Sequence, residues 1–223
     1  GSYNTTQNLY KNKYGNKVIF EEINHDLELK FRYQWSSSNK FGFVKKSKLI
    51  NTSNETVNIH LLDGIQNIMP ANIGSDLQNQ SSNLVDAYKR NELEEATGLG
   101  IYALSAILVD KAEASEALKA NVVWSLGLEN PKYLLSSLQL NNFRSRQSLE
   151  QEVDVKAEKG AYFVNTEIAL SGESSKEWMF VANVNQNHSD IARLSKQIRE
   201  DNSLADKVNE NIAFGTQRLV QLN

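Results

Sequence analysis

The sequence contains no cysteine, only two prolines and only three histidines. Without cysteine the chain forms no disulfide, uses no thiol nucleophile and binds no metal through sulfur. The histidines, His25, His60 and His188, lie far apart, and none has a second ligand at a spacing typical of a metal site. We therefore expect all three histidines to be structural, and we expect no metal site.

Long apolar runs and an excess of positive charge are also missing. No run approaches the roughly 18 apolar residues that a membrane-spanning helix needs, so no membrane span is predicted. The chain has 24 Lys and Arg against 27 Asp and Glu, which gives a net charge of -3. Nucleic acid is therefore not an expected partner, because dedicated nucleic-acid binders are strongly basic. The 223 residues, 40% of them hydrophobic, suffice for one large domain or two small ones.

The first third of the chain has the pattern of an antiparallel sheet. A strand with one buried and one wet face is indicated where apolar and polar residues alternate, at Leu27, Leu29, Phe31, Tyr33 and Trp35. Short polar turns then separate two further predicted strands, at 41–50 and 57–64. Strands joined by such short turns pair antiparallel.

The next segment changes character. Residues 65–80 contain a proline, a glycine and many amides, which predicts a long loop. A helix is predicted at 82–96, with Leu84, Tyr88 and Leu93 turned toward the protein. The acidic run Glu92–Glu95 is then interpreted as the solvated face of this helix rather than as a pair of catalytic carboxylates.

Apolar runs rich in β-forming residues follow. The runs at 98–109 and 117–128 predict a hairpin, with the polar residues 110–116 as its connection. After Pro131 the pattern fits a short strand and then a helical turn at 142–149. Two further strands are predicted before residue 186, so the chain is expected to be mainly β.

The C-terminal residues are predicted to be helical. Asn187 is a plausible N-cap for a helix at 188–200, and Ser203 with Asp206 resembles a capping box for a second helix. The second helix carries an apolar stripe formed by Leu204, Val208, Ile212, Leu219 and Leu222. Both helices must therefore pack on the sheet or on something beyond Asn223.

Motifs that carry chemistry are scarce. The sequence has no nucleophile elbow, P-loop, dinucleotide fingerprint or calcium loop, so no catalytic residue and no cofactor are predicted. Aromatic residues on strands are the remaining candidates, because an indole ring can pack on the apolar face of a sugar. The candidate carbohydrate-binding residues are Trp35, Trp124 and Trp178. Core packing is the competing interpretation of the same three residues.

Two segments resemble a known family. The segment Phe31–Pro70, with its LLDG strand, and the segment Thr166–Ile198, with its SGES turn and WMFV strand, are similar to one carbohydrate-enzyme domain. They resemble the N-terminal β-supersandwich domain of the cellobiose and chitobiose phosphorylase group, which has a galactose-mutarotase-like fold. This resemblance implies an antiparallel β-supersandwich at 1–186, with one internal helix, and linker helices at 187–223.

The resemblance also implies a function. In that group the supersandwich precedes an (α/α) barrel that carries the catalytic acid, so no catalytic residue transfers to this chain. The chain is then expected to be the non-catalytic N-terminal domain of a larger bacterial glycoside phosphorylase- or hydrolase-like enzyme. Its expected partners are that barrel, a carbohydrate and, as an open alternative, a second copy in a homodimer. A phosphorylase of this kind is expected in the cytoplasm, and the periplasm is the alternative.

A different class of function stays open beside this one. The same aromatic residues on strands also suit a free-standing carbohydrate-binding or surface-interaction module. Mutarotase activity is not expected, because mutarotases use a histidine pair and a glutamate base, and the three histidines here lack the neighbouring residues of that motif.

Overall fold

The computed structural model describes residues 4–80, 82–105 and 119–221, and the chain is mainly β in these ranges. The strands are β1 (Thr5–Lys11), β2 (Lys17–Asn24), β3 (Leu29–Ser38), β4 (Gly42–Asn51), β5 (Val57–Ile68), β6 (Lys89–Glu94), β7 (Leu99–Leu104), β8 (Ala120–Leu126), β9 (Lys132–Leu134), β10 (Asp154–Lys156), β11 (Gly160–Leu170) and β12 (Ser175–Gln186). The helices are α1 (Ser75–Gln80), α2 (Ser82–Ala87), α3 (Leu140–Arg144), α4 (His188–Glu200) and α5 (Leu204–Gln221). None of the helices in these ranges is long and apolar enough to cross a membrane.

The strands form two antiparallel sheets. The large sheet has nine strands in the order β1-β2-β3-β4-β12-β8-β7-β6-β10, and the small sheet has three in the order β5-β11-β9. Every neighbouring pair in both sheets is antiparallel. The two sheets pack face to face, so the predicted mainly β sandwich with antiparallel strands is confirmed.

Large aromatic residues fill the space between the two sheets. Tyr102 of β7, Tyr162 of β11 and Phe180 of β12 are fully buried in one apolar cluster that draws on both sheets. The Tyr102 hydroxyl donates to Ala161 O at 2.6 Å, and the Tyr162 hydroxyl donates to Gly98 O at 2.6 Å. Burial raises the pKa of both phenols well above the usual 10. Both rings therefore remain neutral and tie the sheets together.

The C-terminal helices form a third layer on the outer face of the large sheet. Leu204, Val208 and Ile212 of α5 are buried against residues of β4, β8 and β12, as the apolar stripe predicts. The predicted N-cap of α4 is also confirmed, since Asn187 Oδ1 accepts from the backbone of Asp190 at 2.9 Å. The role of these helices as a linker toward a barrel stays a prediction.

The capping box predicted for α5 is wrong. The Ser203 hydroxyl donates to Asp201 Oδ1 at 2.6 Å, and Lys207 Nζ donates to Asp201 Oδ2 at 2.6 Å. These bonds lower the pKa of Asp201 to about 2, with the Lys207 hydrogen bond as the largest cause. The hydroxyl of Ser203 therefore bonds to the preceding Asp201 and not to Asp206.

The predicted helix at 82–96 ends early. Helix α2 stops at Ala87, and Lys89–Glu94 is strand β6, which pairs with β7 and β10. Lys89, Asn91 and Leu93 are buried while the residues between them face outward, which is the period of a strand. Pairing with distant strands outweighs the helix preference of this acidic run. Glu92 and Glu94 therefore lie on the outer side of a strand.

Three smaller differences concern the connections. The predicted loop at 65–80 is shorter, because β5 continues to Ile68 and α1 begins at Ser75. Leu84 is 49% exposed rather than turned inward, and short helices α1–α3 replace the single internal helix of the prediction. Strands β7 and β8 pair as predicted, and their connection at 110–116 lies outside the described residues.

Candidate functional site

The large sheet extends beyond the small one, and this difference in width opens a cleft. Asp63 of β5 bonds to Lys45 and Ser47 of β4 and to Trp178 of β12, which places β5 over β4 and β12. Strand β5 is the edge of the small sheet, so β1, β2 and β3 continue past that edge. The inner face of these three strands is left without a facing strand in the small sheet.

Aromatic side chains line the cleft along the edge of β5. Its volume is about 380 Å³, a size that accommodates a small ligand. The lining residues are Phe31, Tyr33 and Trp35 of β3, Lys45 of β4, Leu62, Asp63, Gly64, Ile65 and Gln66 of β5, and Phe163 of β11. The period of two in β3 brings its three aromatic side chains to the same face.

The rings pack against one another in a row across the large sheet. Phe20 and Tyr33 are paired across β2 and β3, and their rings stack with centroids 4.9 Å apart. Phe31 lies 5.9 Å from Tyr33 and 6.1 Å from Trp178. Phe31, Tyr33 and Trp35 are each half-buried, so part of each ring still faces solvent. The row is therefore a preformed aromatic wall.

A buried ion pair fixes the floor of the cleft. Lys45 Nζ donates to Asp63 Oδ1 at 2.5 Å and to Gly64 O at 3.0 Å. The side chains of Lys45 and Asp63 are only 8% and 10% exposed. The ammonium group also lies 5.1 Å from the ring centroid of Tyr33 and 5.3 Å from that of Phe180. These contacts hold the lysine against two aromatic faces.

The carboxylate of Asp63 is fully occupied. Besides Lys45, Oδ1 accepts from the backbone of Gly64 at 2.9 Å, and Oδ2 accepts from Ser47 Oγ at 2.7 Å and from Trp178 Nε1 at 2.8 Å. An ionised carboxylate offers about four acceptor positions, and all four are used here. Asp63 therefore positions its neighbours and has no free lone pair with which to take a proton from a ligand.

The three predicted tryptophans have different environments. Trp35 is half-buried in the wall of the cleft, so its assignment as a carbohydrate-binding residue stays a prediction. Trp178 is 2% exposed beneath the cleft, and Trp124 is 1% exposed on the opposite face of the sheet, under the helices. Neither of these two indoles offers a face to a sugar, which corrects the prediction for Trp124 and Trp178. Both rings pack in the core.

Sequence reasoning missed Lys45, Ser47 and Asp63. A partial signal was present, because Lys45 and Ser47 occupy the same strand face as Phe43 and Leu49. The neighbouring lysines Lys46 and Lys48 made this signal ambiguous. The lysine that is buried becomes clear only from the position of β4 in the sheet, beside β12 and beneath β5.

The histidines and the remaining carboxylates are the other ionisable candidates in the part of the chain that the structure describes. No group of three or more His, Asp or Glu side chains in these ranges is arranged to hold a metal ion. His25 is exposed and lies 2.8 Å from Thr6 Oγ, and His188 opens α4. His60 has a more unusual environment, on the outer face of the small sheet.

No protein-family model and no curated protein sequence matches the chain. Among solved structures, the chain is similar to a bacterial glucoamylase complexed with acarbose, at 11% identity over 93% of this chain and 27% of that one, with a TM-score of 0.48. A heparinase III structure matches at 13% identity over 83% of this chain and 22% of that one, with a TM-score of 0.44. The heparan sulfate lyase HepC from Pedobacter heparinus matches at 10% identity, 82% and 22% coverage and a TM-score of 0.38.

The chain thus spans about a quarter of the length of these solved structures. TM-scores below 0.5 do not establish a shared fold. The functional argument therefore rests on the cleft and on the chain's own residues.

Proposed function

We propose that this chain is a non-catalytic β-sandwich domain of a larger carbohydrate-active enzyme, of the glycoside phosphorylase or hydrolase type. In this proposal the cleft at the edge of β5 forms one wall of the sugar-binding site. The observation that carries the proposal is the row of aromatic rings on β2 and β3, held beside the buried pair of Lys45 and Asp63. The resemblance of Phe31–Pro70 supports it, because this segment contains most of β3 and all of β4 and β5.

The cleft combines the two kinds of contact that a sugar ring needs. Tyr33 and Trp35 offer partly exposed apolar faces to the C–H face of a pyranose. The edge strand β5 offers backbone N–H and C=O groups on its unpaired side, and the exposed Gln66 adds an amide. A few polar groups in a mostly apolar cleft are typical of a small-molecule site.

The saturated carboxylate supports a non-catalytic role. Asp63 is the only carboxylate that lines this cleft in the described residues, and all of its acceptor positions are occupied. Glycoside chemistry needs two carboxyl groups placed across the bond that is cleaved. The catalytic carboxylates are therefore proposed to come from another part of the enzyme, as the resemblance implies.

Exposed apolar residues support contact with such a part. Leu9 and Tyr10 on the edge strand β1 are 65% and 47% exposed, and Phe214 and Val220 on α5 are 55% and 46% exposed. Exposed apolar side chains mark an interaction surface where they lie together in one patch. A catalytic barrel in the same protein is the proposed partner, and a second copy of the chain is the alternative.

A free-standing carbohydrate-binding module is the second candidate function. It is favoured by one observation, namely that the cleft is open to solvent in this chain by itself. Both candidates place the sugar against Trp35, so one binding experiment tests this common element. Sequencing the gene beyond Asn223 separates the two, because only an enzyme domain is followed by a helical barrel.

The experiment is calorimetric titration of the chain with cellotetraose, maltotetraose and tetra-N-acetylchitotetraose. At least one sugar is expected to bind, with a Kd of roughly 1 mM or tighter, and Trp35→Ala is expected to weaken that binding about tenfold. Phe214→Ala is the matched control, because it removes an exposed aromatic ring far from the cleft in sequence and on another layer. Binding that Trp35→Ala leaves unchanged, or no binding of any sugar, contradicts the carbohydrate role of the cleft.

A further inference from the structure

The outer face of the small sheet carries a second concave site. A pocket of about 530 Å³ lies over β5, β9 and β11, on the side of the small sheet away from the core between the sheets. The strand register places His60 opposite Glu167 and Asn165 opposite Lys132. These four polar side chains belong to three adjacent strands and line the same pocket.

Asn165 is the anchor of this group. The residue is only 8% exposed, its Nδ2 donates to Leu61 O at 2.8 Å, and the same nitrogen lies 2.8 Å from His60 Nε2. The amide nitrogen must face Leu61, because two carbonyl oxygens would repel each other there. His60 Nε2 therefore accepts from Asn165, and the neutral ring carries its proton on Nδ1.

This orientation leaves Asn165 Oδ1 as a free acceptor that opens to the pocket. Both hydrogens of the Asn165 amide are used, and its Oδ1 has no hydrogen-bond partner in the described part of the chain. Asn209 Oδ1 is the only buried polar side-chain atom without a hydrogen-bond partner in the described residues, so Asn165 Oδ1 is accessible and can accept a hydrogen bond from a ligand or from water. The oxygen belongs to a side chain that its two other bonds hold in place.

Three further groups converge on the same pocket. The His60 ring packs on Phe143, with centroids 5.0 Å apart, which fixes its orientation and leaves Nδ1–H as a donor. Lys132 Nζ donates to Leu149 O at 2.9 Å and retains two hydrogens. Glu167 is exposed and adds a carboxylate to the rim. Hydrogen-bond acceptors, on Asn165 and Glu167, and donors, on His60 and Lys132, therefore line the same pocket.

We propose that this pocket is a second binding site, for a neutral saccharide. Each sugar hydroxyl donates and accepts at once, so neighbouring hydroxyls match the alternation of Asn165 Oδ1, His60 Nδ1 and Glu167. An anionic ligand would face the carboxylate of Glu167, and a cation would face the ammonium of Lys132. The inference does not depend on the cleft at the edge of β5, because the two sites share no side chain.

The test is an NMR titration of the ¹⁵N-labelled chain with the same three tetrasaccharides, up to about 10 mM, which covers millimolar affinities. The ring nitrogens of His60 and the side-chain amide of Asn165 report on this pocket, and the indole N–H of Trp35 reports on the cleft. At least one sugar is expected to shift the His60 and Asn165 signals in a saturable way.

Two variants and a control make the test specific. Glu167→Gln changes an exposed side chain and is expected to weaken the response at His60 about tenfold, while the Trp35 response stays the same. Asn165→Ala is expected to abolish the response, with a thermal melt to verify the fold. Glu55→Gln, at an exposed turn residue, is the control and is expected to change neither response.

Three results would overturn the inference. The first is that no sugar shifts any of the signals of His60, Asn165 and Trp35, and the second is that a sugar shifts only the Trp35 signal. The third is that Glu167→Gln leaves the His60 response as strong as in the parent chain. The second of these results supports the cleft and removes the outer pocket. Shifts at His60 without shifts at Trp35 support the pocket and contradict the cleft, so the two proposals fail separately.

Discussion

Replacing Asp63 by Asn tests whether the buried ion pair holds the cleft together. The substitution keeps the shape of the side chain but removes its charge and one of its two acceptor oxygens. Either the pair Lys45 and Gly64 or the pair Ser47 and Trp178 then faces an amide NH₂ instead of an oxygen. The ammonium group of Lys45, at 8% exposure, stays buried without its counter-charge.

The expected loss of unfolding free energy is large. Breaking a buried ion pair by removing one partner destabilises a protein by about 3–5 kcal/mol, because the remaining charge is uncompensated. This value is an appreciable part of the roughly 5–15 kcal/mol that stabilises an ordinary domain. We expect about 4 kcal/mol for Asp63→Asn, and Asp206→Asn, an exposed residue of α5, is expected to change the stability by less than about 1 kcal/mol.

Urea unfolding followed by tryptophan fluorescence measures these values, and a double variant tests the mechanism. Lys45→Met removes the charge that Asp63→Asn leaves unpaired, so the double variant is expected to be about 2 kcal/mol more stable than the sum of the single losses predicts. If the two losses add within about 0.5 kcal/mol, the side chains are not coupled and the reasoning is refuted. A loss below about 1 kcal/mol for Asp63→Asn would refute it as well.

Two further predictions concern single residues of the large sheet. Burial raises the pKa of the Glu21 carboxyl group, but hydrogen bonds from Asn8 and Arg32 lower this pKa below its usual 4.5. The charged carboxylate therefore stabilises the fold above pH 4.5. This stabilisation is lost as the pH falls through the lower pKa of the folded state. Glu21→Gln should therefore reduce the unfolding free energy by about 2 kcal/mol near pH 7 and by much less near pH 3, and equal losses at both pH values would contradict this assignment. Gly42→Ala should destabilise by about 3 kcal/mol, because Gly42 has φ +86° and an added Cβ would lie 2.3 Å from Ala182 O. Gly215→Ala is the control, because Gly215 lies in an open position of α5, and it should stabilise the protein by about 1 kcal/mol. Thermal melts measure both effects. Similar effects at both glycines would show that the close contact between Gly42 and β12 does not matter.

The strands with a clear period of two were predictable from the sequence. The alternation in 27–35 predicted β3, and its apolar phase is the phase that forms the aromatic wall. The N-cap of α4 and the stripe of α5 were equally readable, because both depend on residues within a few positions of each other. Local signals therefore located most of the elements that build the cleft.

Strand β6 shows where local reasoning fails. Its sequence, KRNELE, contains good helix formers, and nothing within the segment reveals that β7 and β10 lie on either side. The pairing joins Glu92 to Ile101 on one side and to Asp154 on the other. Such contacts depend on residues up to 66 positions away, as between Arg90 and Lys156, so the tertiary fold decides the conformation of this segment.

The three tryptophans separate for a related reason. Trp35 and Trp178 lie on the same face of the large sheet, but only Trp178 is covered by the small sheet. The edge strand of the small sheet, β5, lies over β12, and no strand of the small sheet lies over β3. The widths of the two sheets set this difference, and no local pattern encodes them. A sequence pattern can thus assign an aromatic residue to a face, but the extent of the opposite sheet decides whether the ring is in the core or at the surface.

The same contrast separates structural from ligand-binding polar residues in this fold. Asp63 and Asn165 are both largely buried on β5 and β11, and both receive or give several hydrogen bonds. Every acceptor position of Asp63 is filled by the protein, so the group stabilises the fold and offers nothing to a ligand. The Asn165 oxygen is held in position, yet it has no partner among the described residues. Because this oxygen opens to the pocket, it can accept a hydrogen bond from a ligand, whereas the fully occupied carboxylate of Asp63 cannot.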